Sequence, residues 1–141
     1  AVVLMAPMTW SGAEAHEFYQ EHHGIDIRPV IEQAKSMDGD QMLEDVPFLF
    51  CPATTAAARS YLSYHGDEPR LDTPSLMAGI RRPLLVVSAE NDEIMDDLPT
   101  RTEEVARAGL ELVVIPDADH FFKGPFAVQA ADAVADFLSE L

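Results

Sequence analysis

The chain begins with an apolar run, "VVLMA" at residues 2 to 6, which stops at Pro7. A short apolar stretch ended by a breaker predicts a strand buried on both faces. From Ser11 to about Ser75 the pattern changes. "SGAEAHEFYQEHHG" reads as a helix that stops at Gly24. "DIRPVIEQAKSMDG" reads as a second helix. Asp26 is its expected N-cap, Gly39 its stop, and Pro29 lies in the first turn, where a missing N–H is harmless. "VPFLFCP" is apolar between two prolines and too short to assign. "ATTAAARSYLSYHG" predicts a third helix, with Thr54 or Thr55 near its cap and Gly66 after its end. No strand stands out here, so the region reads as a small helical insertion.

After residue 80 a regular rhythm begins. "PLLVVSA" (83–89) predicts a buried strand, and "LPTRTEEVARAG" (98–109) a helix with Pro99 near its start and Gly109 as its stop. Glu103 and Glu104 are read as acids early in that helix. "LELVVIP" (110–116) is the next strand. "PFAVQAADAVADFLSEL" closes the chain as a helix whose expected apolar stripe is Phe126, Ala130, Val134, Phe137, Leu138 and Leu141. Strand, helix, strand, helix at this spacing predicts parallel strands joined by right-handed crossovers, and so an α/β class.

Composition narrows the partners. The 141 residues carry a formal net charge of −16, which repels phosphate backbones and anionic headgroups. Nucleic acid and membrane are therefore not expected partners. With 48% hydrophobic residues the chain can build a core. One cysteine, Cys51, cannot form an internal disulfide and fits a reducing, cytoplasmic setting. "AVVLMAPMTW" lacks a basic leader region and an initiator methionine and starts inside an apolar run, so further chain is expected upstream.

In a parallel sheet all carboxyl ends share one edge, and ligands bind outside it. Three loops should meet there: "PMTW", "ENDEIMD" and "DADHFF". Asp92 and His120, far apart in sequence, leave that edge from neighbouring strands. A carboxylate beside an imidazole can hold one tautomer and stabilise the imidazolium. Asp96 and Asp97 are rival acids, while Asp117 and Asp119 read as solvated turn residues. Cys51 reads as a buried, inert thiol. His16, His22 and His23, with Glu17 and Glu21, read as a solvated helix face, since the two-histidine helical metal motif needs ligands at i and i+4 and position 20 is Gln.

"LLVVSAENDEI", then "LELVVIPDADHFFKG" and an amphipathic C-terminal helix, resembles the last portion of an α/β-hydrolase. The resemblance places the acid at Asp92, within Ala89-Glu90-Asn91-Asp92-Glu93-Ile94. It places the base at His120, within Ala118-Asp119-His120-Phe121. It implies residues 1–10 as a core strand and loop, 11–79 as a helical cap-like insertion, and 80–141 as the C-terminal βαβα part. It further implies an esterase-like serine hydrolase acting on a small ester-like substrate, with no metal or organic cofactor. The insertion would roof the site, and Trp10, Phe121 and Phe122 would contact substrate, although core packing suits the phenylalanines equally. The family's Gly-x-Ser-x-Gly nucleophile elbow is absent from this chain. The serine is then expected in a missing N-terminal half, and the isolated chain is expected to be inactive. Residues 2 to 6 would pair with that half or with a second copy of the chain. The alternative is a non-catalytic fragment that serves as a binding or assembly module.

Overall fold

A computed structural model describes residues 1–10, 12–49, 51–66, 71–105 and 107–141. In chain order the elements are β1 (Val2–Met5), α1 (Gly12–His23), α2 (Arg28–Ser36), β2 (Met42–Phe48), β3 (Cys51–Ala57), α3 (Ala58–His65), α4 (Thr73–Met77), β4 (Leu84–Ala89), α5 (Leu98–Glu103), β5 (Leu110–Ile115) and α6 (Pro125–Ser139). They form two compact units, Ala1–Thr9 with Asp72–Leu141, and Trp10–Leu71. None of the described helices is long and apolar enough to cross a membrane.

The first unit is built on a parallel sheet of order β1-β4-β5. All six residues of β4 are buried, as befits a central strand covered on both faces. Its period-2 alternation divides the core. Leu85, Val87 and Ala89 pack with Ile115, Ala118, Phe122, Ala130 and Phe137. Leu84 and Val86 face the other way, against Met77, Met95 and Leu98. The flanking strands are less enclosed. β1 is only partly buried and Met5 is 49% exposed, contrary to the expectation of a strand covered on both faces. Among the described residues β1 has no strand on its outer side.

Two helical readings of this unit need correction. α5 ends at Glu103 instead of running to Gly109; Val105 N donates to Thr102 O at 3.1 Å, and the Val105 side chain packs onto the Met95–Leu98 cluster. In α6 the stripe holds for Phe126, Ala130, Val134 and Phe137, but Leu138 and Leu141 lie exposed.

The second unit corrects the all-helical reading of the insertion. β2 and β3 form an antiparallel hairpin with register Leu43↔Ala56, Val46↔Thr54 and Phe48↔Cys51. The supposed helix beginning near Thr54 is strand until Ala57 and helix only from Ala58. Pro47 and Pro52 are tolerated because each strand of a two-stranded sheet has a free edge. α2 starts at Arg28 and stops at Ser36. Its N-cap is Ile27, and Asp26 sits just outside, accepting from Arg28 N at 3.0 Å. Cys51 is exposed at the first position of β3, not buried.

Candidate active site

The loops after β4 and β5 are laced together before either presents a side chain. Glu90 N donates to Ile115 O at 3.1 Å, and Asn91 N to Ala118 O at 2.9 Å. The Glu90 carboxylate accepts from Asp117 N at 2.9 Å. Asp117 itself has φ 57, a left-handed conformation that aspartate tolerates better than most residues. Ala118 and Phe122 then turn inward and are buried. His120, midway between these two anchors, is held at the surface of the loop.

Asp92 is fixed by its own turn. Its Oδ1 accepts from Ile94 N and Met95 N, both at 2.9 Å. The carboxylate is 1% exposed, a costly place for a charge unless it is fully hydrogen-bonded. The third bond supplies the chemistry: Asp92 Oδ2 lies 2.9 Å from His120 Nδ1. An ionised carboxylate can only accept, so Nδ1 carries the proton and Nε2 is left with its lone pair. The imidazole is 24% exposed. It lines a cleft of about 440 Å³ with Asn91, Glu93, Ile94, Asp119 and Phe121 among its neighbours.

The rival acids are engaged elsewhere or exposed. Asp97 accepts from Thr9 Oγ1 at 2.6 Å and pairs with Arg101 at 3.4 Å. Arg101 also reaches Asp72 at 2.5 Å and Thr9 O at 2.9 Å, tying together the two points where the chain leaves and re-enters this unit. Asp96 is exposed. Sequence reasoning did not anticipate the roles of Glu90 and Arg101, because their partners are backbone groups and a remote carboxylate that no local pattern marks.

The three expected substrate-contacting residues part company. Phe121 is 63% exposed beside His120, with ring centroids 5.1 Å apart. Phe122 is a correction. With φ 47 its side chain turns down into the core cluster with Leu85 and Phe137, and it is not available to line a pocket. Trp10 belongs to the other unit, where it is buried edge-on against Phe18 at 5.3 Å. In that unit His22 donates to Phe18 O at 3.1 Å and His23 to Leu49 O at 3.0 Å. Among the described residues no three histidine, cysteine or carboxylate side chains gather to hold a metal.

Solved structures resemble this arrangement. DcsB, solved in complex with its substrate analogue, superposes with a TM-score of 0.59 at 15% identity, covering 98% of this chain and 55% of its own. A thermophilic esterase from Thermogutta terrifontis, solved with malate bound, gives a TM-score of 0.50 at 21% identity, with the same coverage of 98% and 55%. Both are α/β hydrolases. The chain has a partial α/β-hydrolase-like fold. It spans about half the length of these neighbours. No protein-family model and no curated protein matches it.

Proposed function

We propose that the chain is the C-terminal segment of an esterase-like serine hydrolase, in which His120 is the general base and Asp92 its orienting acid. The observation that carries this reading is the 2.9 Å contact between Asp92 Oδ2 and His120 Nδ1, which leaves Nε2 as the available base. The nucleophilic serine lies in an N-terminal segment. The lack of a Gly-x-Ser-x-Gly elbow in the sequence and the 55% coverage of the structural neighbours support that placement.

In the first half-reaction the serine hydroxyl adds to the ester carbonyl as Nε2 takes its proton. Asp92, already ionised and hydrogen-bonded, stabilises the imidazolium. The tetrahedral adduct collapses as Nε2–H protonates the leaving alkoxide, leaving an acyl-enzyme. Water then enters, gives its proton to Nε2 and releases the acid, with the proton returned to the serine. Asp92 stays ionised throughout.

The test is covalent labelling with an active-serine phosphonate. The protein expressed from its complete reading frame is expected to label on one serine upstream of Ala1, and the 141-residue chain alone is expected not to label. Labelling of a serine within the 141 residues would overturn the assignment. A complete reading frame that never labels would favour the binding or assembly module instead; the outer edge of β1, unpaired among the described residues, is the feature suited to that role.

A further inference from the structure

The cleft around His120 is unevenly charged. Its lining carries three carboxylates, Glu93, Asp117 and Asp119, against one ammonium, Lys123. Asp119 Oδ1 accepts from Phe121 N at 3.0 Å, and its Oδ2 lies 3.5 Å from Lys123 Nζ. The same Nζ stands 4.8 Å from the centroid of the Phe121 ring. That ring is 63% exposed and meets the His120 imidazole edge to face. The molecule therefore displays a cation on an aromatic face, beside a carboxylate, one ring away from the candidate base.

We propose that Phe121, Asp119 and Glu93 form a subsite for a positively charged substrate group, an alkylated ammonium carried by the ester; this rests on the hydrolase reading above. Lys123 marks the position such a group takes. Its side chain is 72% exposed, so it can move into solvent with little loss of packing. A primary ammonium is strongly hydrated, whereas an alkylated one gives up water more readily and gains more from the ring face. The surrounding carboxylates, within a chain of net charge −16, attract cations and repel anions. Esters bearing a carboxylate are accordingly poor substrates, and cationic esters are preferred over neutral ones of the same shape.

Two readouts on the protein from its complete reading frame separate this inference from the hydrolase reading. The first is an NMR titration with benzyltrimethylammonium and, in parallel, phenylpropanoate. The cation is expected to bind at least about fivefold more tightly, with shifts centred on His120, Phe121 and Lys123. Its affinity should fall in Asp119→Asn and in Phe121→Leu, rise in Lys123→Gln, and weaken as salt shortens the Debye length from about 10 Å to about 3 Å. Equal or tighter binding of the anion, or cation shifts centred elsewhere, would overturn the subsite. The second readout is hydrolysis of uncharged phenyl acetate. Cation binding without hydrolysis leaves the subsite standing and removes the hydrolase reading. Hydrolysis without charge preference does the reverse.

Discussion

Two histidines, one in each unit, both hold a hydrogen bond to a side-chain oxygen, yet they are suited to opposite ends. His120 sits on a loop, partly exposed, with Nδ1 on the Asp92 carboxylate and Nε2 left over. His65 ends α3 and is 1% exposed. Its Nδ1–H donates to Tyr61 O at 3.1 Å, and its Nε2 accepts from the Tyr19 hydroxyl at 2.7 Å. That hydroxyl in turn accepts from Leu49 N. The rings of Tyr19, Phe48, Tyr61 and Tyr64 surround it. Both nitrogens of His65 are engaged, one by a backbone carbonyl and one by a hydroxyl. Desolvation therefore pushes its pKa down to about 4, against a smaller upward pull from Tyr61 O. An imidazole becomes a usable base through a buried anion on one nitrogen and a free lone pair on the other, not through burial alone.

The largest expected effect comes from removing the base. In the catalytic protein His120→Ala should lower kcat by about 10⁶-fold, measured as ester hydrolysis. Turnover within tenfold of the parent would erase the distinction between the two histidines. Asp92→Asn should cost about 10⁴-fold, because an amide can hold the wrong tautomer. If Asp92→Asn is silent while Asp97→Asn is not, the wrong carboxylate has been assigned.

The meeting of Asp92 and His120 was legible because the sheet carries the information. The apolar runs of β4 and β5 fix two parallel neighbours, and parallel strands deliver "ENDEIMD" and "DADHFF" to one edge whatever the rest of the chain does. The hairpin was not legible. β3 is exposed at four of its first five positions, so it has no apolar alternation to betray a strand, and Pro52 argues against one, as Pro47 does in β2. Nor could "HFF" reveal which phenylalanine turns inward. That depends on the left-handed backbone at Phe122, where φ is 47 and no glycine signals it.

The smaller effects sharpen the His65 side of the comparison. Its ordinary pKa of 6.5 applies in the unfolded chain and about 4 in the fold. Between those values the unfolded state binds a proton that the folded state refuses. Stability is therefore complete above pH 6.5 and is lost as pH falls through 4, by on the order of 3 kcal/mol. Denaturant unfolding of the Trp10–Leu71 unit across that range checks this, and His65→Phe should flatten the curve. A stability that stays constant from pH 7 to pH 4 in the parent would contradict it. Tyr19→Phe leaves His65 Nε2 and Leu49 N without their partner and should cost about 2 kcal/mol at neutral pH. A neutral effect would mean that water replaces the hydroxyl.

The most direct measurement is the tautomer of His120, read from two-bond ¹H–¹⁵N correlations at a pH where the ring is neutral. A protonated Nδ1 and a bare Nε2 are expected from the Asp92 contact, and Asp92→Asn should mix in the opposite form. A parent protein with the proton on Nε2 would contradict the account, because the nitrogen assigned as the base would then have no lone pair to offer.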